Sequence, residues 1–186
     1  MALTYGTDEW EQAYLAEVAE RSKNPPPFIA FTPEWVALYE KAVQNDDVYK
    51  EAAKDWEGSV ALHVQAAPEV GIDEDIFLLM DLWHGDCRSM RLVPPEVGQA
   101  ADFVITGSME RWLQVTRKQL DTIKGMMQGK LKLKGDLPTI VRAVKASARL
   151  VDINADLGAV YPDELTPEQV EELRGWIVPL REKYGI

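Results

Sequence analysis

Met126-Met127-Gln128-Gly129-Lys130-Leu131-Lys132-Leu133-Lys134-Gly135-Asp136 packs a helix end, a strand and a helix start into one short stretch. Gly129 ends a helical turn, capped by Asp121, that carries Ile123, Met126 and Met127 on one side. From 130 to 134 lysine and leucine alternate without exception, the period of a strand solvated on one face and buried on the other. Lysines on such a strand suit a sheet edge, where they oppose edge-to-edge pairing. Gly135 then turns the chain, Asp136 caps, and Pro138 starts the next helix.

Towards the C-terminus, this helix is expected to be the longest of the core. Leu137, Ile140, Val141, Val144, Ala148 and Val151 fall on one stripe, with Arg142, Lys145 and Arg149 opposite. Thr166-Pro167-Glu168-Gln169 is a capping box opening a terminal helix with Val170, Leu173 and Ile177 inward. Pro179 is expected to stop or kink it.

Towards the N-terminus, Ser108 caps a helix with Met109, Trp112, Leu113, Thr116 and Leu120 on its face. A strand over 102–106 precedes it, with Phe103 and Ile105 pointing together. Cys87–Val93 and Ile76–Trp83 read as strands joined by a hairpin turn at His84-Gly85-Asp86. Both parities of Ile76–Trp83 are apolar, so both of its faces need cover, and the terminal extensions are the expected source. A hairpin turning near Gly71 would set His63 opposite a residue near Leu79. Val60, Leu62 and Val64 alternate along the strand begun by Gly58. Thr32-Pro33 opens a helix carrying Trp35, Val36, Leu38, Tyr39 and Val43, and a short third helix runs to about Trp56. A first helix starts at Thr7 with Trp10, Ala13, Tyr14 and Val18 on one face, and Asn24-Pro25-Pro26-Pro27 is a linker. This order is α+β, a mixed sheet with helices gathered on one face. The expected organisation is an N-terminal helical extension (1–31), a central domain (32–155) and a C-terminal helical extension (156–186).

The chain has 186 residues, 46% of them hydrophobic, a net charge of −11 and one cysteine, Cys87. A single cysteine excludes an internal disulfide and favours a reducing compartment. With no apolar run suited to a signal peptide or to the ~20 residues of a membrane helix, a cytoplasmic location is expected. The acidic balance argues against a nucleic-acid partner. From Ser108 to Leu150, however, ten basic residues face three acidic ones, a balance of +7 that leaves −18 on the rest. Such a region reads first as solvated faces whose basic residues happen to gather, and alternatively as a rim that meets an anionic head group, coenzyme A or a membrane surface.

The residues yield no catalytic assembly. His63 and His84 are the only histidines, and no Cys-x-x-Cys, His-Glu-x-x-His, Gly-x-Ser-x-Gly or phosphate-cradling glycine loop occurs. Asp81, among apolar neighbours, and His84 are the best available acid or base, and Asp73-Glu74-Asp75 reads as a solvated charge run. No catalytic residue, cofactor or metal is therefore expected. Met109, Met126 and Met127 do supply adaptable apolar surface beside Trp112, Leu113, Leu120 and Ile123. By spacing alone this cluster reads first as an ordinary core, with a pocket as the alternative.

Ala101-Asp102-Phe103-Val104-Ile105-Thr106-Gly107-Ser108, then Trp112, then the Met126–Asp136 segment, resembles the sterol carrier protein type 2 family. Pro33-Glu34-Trp35 and Asp55-Trp56-Glu57-Gly58 are similar to its prokaryotic stand-alone members, and the likeness spans about Thr32 to Val151. The resemblance implies a five-stranded mixed sheet covered on one face by helices, with an apolar tunnel between them. It implies non-catalytic binding, and possible transfer, of a lipid-like small molecule such as a fatty acid, acyl-CoA or sterol-like lipid. Carried onto this chain, it points to Phe103, Ile105, Trp112, Leu113 and Leu120, to Ile123, Met126, Met127, Leu131 and Leu133, and to Ile140, Val141 and Val144. Most of the cavity is thus expected from residues 101–151, with the terminal helix as a lid or as cover for the second strand. Two other classes stay open at this point. One is an enzyme or accessory domain presenting an amphipathic substrate; the other is an interaction module, with a homodimer allowed by the extensions.

Overall fold

A computed structural model describes residues 1–186. Its centre is a five-stranded mixed sheet in the order β3-β2-β1-β4-β5, with β1 parallel to β4 and every other pair antiparallel. The strands are β1 (Glu57–Val64), β2 (Ile76–Trp83), β3 (Asp86–Leu92), β4 (Phe103–Gly107) and β5 (Lys132–Lys134). β2 and β3 meet at His84 and Gly85, whose φ values of 48° and 85° are those of a two-residue turn that follows the sheet's twist. The β1–β2 hairpin centres one residue earlier than Gly71, because Ala67 pairs with Ile72 ahead of the strand. His63 consequently faces Phe77, and it is Ala61 that faces Leu79.

β5 lies at the sheet edge as its lysines require, but is shorter than the alternation predicts. Leu131 falls just outside it and is 1% exposed, wedged where Gly107 and Gly125 leave room. A Cβ on Gly107 would come within 2.6 Å of the Leu131 side chain.

Six helices pack around one face of the sheet: α2 (Pro33–Gln44), α3 (Asp47–Ala52), α5 (Met109–Thr116), α6 (Thr122–Met127), α7 (Leu137–Arg142) and α8 (Val144–Asp156). Ser108, Asp121 and Asp136 each cap as expected, accepting from the backbone amides of Arg111, Lys124 and Thr139. Thr32 precedes α2, but its hydroxyl donates to Ile29 O at 2.7 Å and makes no cap bond. The long helix expected from Pro138 is two helices, because Ala143 (φ −90°, ψ 19°) breaks it. The break turns the second piece about its axis. Val144 and Ala148 point outward, and Ala146, Ser147, Leu150 and Asn154 take the inward stripe.

The opposite face carries Ala61, Phe77, Leu79 and Val104. Its cover is mostly α4 (Pro95–Gln99) with Val93 and Ala101, an element absent from the sequence reading; the N-terminal extension supplies only Tyr5. Gly98 allows this approach, since a Cβ there would lie 2.4 Å from Phe77 Cδ1. The terminal helices α1 (Asp8–Arg21) and α9 (Pro167–Tyr184) form a third cluster of Trp10, Tyr14, Leu180 and Tyr184. Trp10 stacks on Tyr14 at 4.8 Å and donates to Tyr184 O at 3.1 Å. α9 opens with the expected Thr166–Gln169 capping box, continues through Pro179 to Tyr184 and places Leu173 in the main core.

Gly98→Ala is expected to displace Phe77 and to cost about 1–3 kcal/mol, read as a lowered urea midpoint. Gly175→Ala in α9, where nothing lies within 4 Å, is expected to leave stability unchanged or raise it by up to ~1 kcal/mol.

Candidate functional site

Between the sheet and its helical cover lies a cavity of about 110 Å³. Its floor follows from strand alternation: Val60, Leu62 and Val64 of β1, Met80 and Leu82 of β2 and Ile105 of β4 share one face by register. The walls follow from helical spacing. α2 contributes Trp35 and Tyr39, α5 contributes Trp112, Val115 and Thr116, and α6 contributes Thr122 and Met126. Ala143, Ala146, Ser147, Leu150, Val151 and Asn154 form a stripe along α8, and Phe31 and Tyr161 close one end. No lining residue is ionisable as an acid carboxyl, a histidine, a lysine or an arginine.

Two contacts hold α8 against α2 and α3. The Tyr39 hydroxyl donates to Leu150 O at 2.8 Å, and Arg149 grips Asp46 through Nε (3.0 Å) and Nη2 (2.5 Å). Asp46 also caps α3, accepting from Tyr49 N at 2.6 Å. The bonds from Arg149 hold the Asp46 carboxyl below the usual carboxylate range.

Of the residues singled out by resemblance, Ile105, Trp112, Met126 and Ile140 line the cavity. Phe103, Leu113, Leu120, Ile123 and Leu131 are buried in the surrounding core, and Leu133 and Val141 are half-buried against it. Met127 and Val144 point to solvent at 66% and 44% exposure, Met127 because it follows the inward Met126 by one helical position. Residues 101–151 supply half of the 24 lining residues. Sequence reasoning missed Trp35, Tyr39 and the β1–β2 floor, all read as core faces without a cavity between them. The α8 stripe was visible as an i, i+3, i+4, i+7 pattern only if the helix restarted after Ala143.

The acid and base candidates lie elsewhere. Asp81 pairs with Arg88 at 2.8 Å. His84 sits on its turn between Lys54 O (2.9 Å) and Glu57 Oε1 (2.8 Å). His63 bridges Thr106 Oγ1 (2.9 Å) and Asp75 Oδ2 (2.7 Å) on the sheet face away from the cavity, stacked on Phe77. Burial pushes the Cys87 thiol up to about 12, which removes its nucleophilic form at neutral pH. His, Cys, Asp and Glu side chains nowhere gather in threes suited to a metal, and no helix is long and apolar enough to cross a membrane.

Comparison with known proteins agrees with this geometry. The model of the SCP-2 sterol transfer family matches residues 38–146. A crystal structure of sterol carrier protein 2 is 33% identical, aligns over 68% of this chain and 98% of its own, and superposes with a TM-score of 0.62. The solution structure of a conserved hypothetical protein from Thermus thermophilus is 32% identical over 70% of this chain and 90% of its own, with a TM-score of 0.63. Among curated proteins no significant match was found.

The depressed Asp46 carboxyl gives a stability contribution present above the unfolded-state value of ~3.9 and lost as pH falls through the lower folded-state value. Asp46→Asn, which keeps a capping side chain, is expected to be less stable than the parent at pH 7. The gap should close as the pH is lowered past the carboxylate range, measured by urea unfolding across pH.

Proposed function

The chain belongs to the SCP-2 sterol transfer family, a family of lipid binding and transfer, and from that premise we propose that it holds one lipid-like molecule, chemically unchanged, in the cavity between sheet and helices. The observation that carries this reading is the wall itself, which is largely apolar, uncharged and assembled from the sheet and the helices over its inner face. Left empty, a void of this size costs about 2–3 kcal/mol of packing, so a guest recovers what the fold gives up.

Magnitudes constrain the guest. Burying a methylene contributes ~0.8 kcal/mol, so micromolar affinity requires roughly ten of them. The resting cavity resembles in size the ~150 Å³ void that admits one benzene. A fatty acid, acyl-CoA or sterol-like lipid must therefore spread the walls. Unbranched Met126 and half-buried Leu150 and Val151 are the members able to move.

Exchange with a membrane is the second part of the proposal. Met127, Leu137 and Val144 are exposed apolar side chains, each within three residues of a cavity wall at Met126, Ile140 or Ala143. Around them Lys124, Lys130, Arg142 and Lys145 make no salt bridge, whereas Arg117, Lys118 and Arg149 are paired. Greasy side chains ringed by unpaired cations suit an anionic lipid surface. An enzymatic reading would have to work from Asp81 or His84, and neither touches the cavity.

Ala146→Leu fills the cavity and should raise the melting temperature while weakening an uncharged fluorescent lipid probe at least tenfold. Binding unchanged in this folded variant would move the site elsewhere. With vesicles, probe transfer should be faster to anionic than to neutral membranes. Combined Lys124→Glu, Lys130→Glu and Lys145→Glu, or high salt, should erase that difference.

A further inference from the structure

Three indoles line the cavity, and two have spent their hydrogen: Trp56 Nε1 donates to Gly58 O at 2.9 Å and Trp112 Nε1 to His63 O at 3.0 Å. Trp35, 2% exposed, has not. Its Nε1–H is buried without an acceptor, and the only other buried side-chain polar atom without a partner is Asn154 Oδ1, on a second residue that lines the cavity. Buried groups in this condition are rare because each forfeits its hydration.

Hydrogen bonding also fixes which end of the Asn154 amide is free. The Thr116 hydroxyl gives its proton to Trp112 O at 3.1 Å, so towards Asn154 it can only accept, and Nδ2 lies 3.4 Å away as donor. Oδ1 is left over. The two residues belong to the same end of the cavity, because α2 and α8 run antiparallel. Phe28 and Ala30, just before α2, bond Val160, just after α8, and Tyr39 bonds Leu150 further along both helices. Trp35 lies one turn before Tyr39, and Asn154 one turn after Leu150.

A lone buried donor and a lone buried acceptor complement a hydroxyl, which accepts one hydrogen bond and donates another. An ester or ketone oxygen would satisfy Trp35 and leave Asn154 Oδ1 bare. A carboxylate would set its charge against Asn154 Oδ1 with no cation in the wall to compensate. We propose that Trp35 and Asn154 form a polar anchor that selects a neutral long-chain lipid bearing a hydroxyl, bound with the hydroxyl inward at the Phe31–Tyr161 end. This rests on the cavity being the lipid site and adds to it the chemistry and direction of the guest.

Displacement of an uncharged fluorescent lipid probe by 1-tetradecanol, tetradecane and tetradecanoate at neutral pH tests the anchor in the full chain. Tetradecanol is expected to compete at least about tenfold better than tetradecanoate. Its advantage over tetradecane, taken as a ratio within each protein so that a change of cavity volume cancels, should shrink about five- to tenfold in Trp35→Phe and again in Asn154→Leu. If Trp35→Phe does not fold, Asn154→Leu decides alone, since it removes an unpaired acceptor and fills similar space. An alcohol-to-alkane ratio unmoved by the substitutions, or tetradecanoate binding as well as tetradecanol, would overturn the anchor and leave the lipid site standing. Failure of the parent protein to take up the probe or any of the three competitors would overturn both.

Discussion

Strand β2 is apolar on both faces, and that constraint organises the molecule. A sheet greasy on one side can leave the other to water, whereas this one needs two covers, and they are built differently. On the outer face α4 lies so close that only a glycine fits over Phe77, while Asp81 and Trp83 at the far end of the strand reach solvent. On the inner face the helices meet the sheet through large aromatic side chains, Trp35, Tyr39 and Trp112, joined by Trp56 from the loop before β1, and a void remains between the layers. One face packed tightly over Phe77 and one spaced face leave a sheet floor with adaptable walls above it.

The walls are pinned by a few polar contacts. Arg149 to Asp46 and Tyr39 to Leu150 tie α8 to α2 and α3. The break at Ala143 lets α7 and α8 take separate angles to the sheet, so Ile140 and the Ala146–Asn154 stripe face the same space. Both terminal segments reinforce this, and each lends one aromatic ring, Phe31 or Tyr161, to the cavity's end. Their own aromatic cluster joins α1 to α9, and the Ile29–Val160 bridge draws the ends of α2 and α8 together.

Much of this was legible in local patterns. Ile76–Trp83 reads as a strand with its observed limits, because turn residues bracket it and both parities are apolar. The lysine–leucine alternation places β5 at the edge, and each Ser, Asp or Thr cap marks a real helix start. What escaped is decided by tertiary packing. No glycine or proline announces the break at Ala143, so a continuous stripe put Val144 inside, where the fold puts it outside. Apolar periodicity likewise cannot separate a face that meets its neighbour from one that stops short of it. Trp35 and Tyr39 therefore read as core, and nothing in the spacing sets Asn154 apart from Ser147 on the same stripe.

The central claim is that the space over the sheet exists to be filled by a lipid-sized guest. Native mass spectrometry of protein isolated from cells without detergent or organic solvent measures this directly. The account predicts a population carrying one non-covalent apolar adduct per chain, released by mild activation and replaceable by added lipid. A single bare-chain mass that stays bare after incubation with long-chain alcohols, fatty acids and sterols would contradict it.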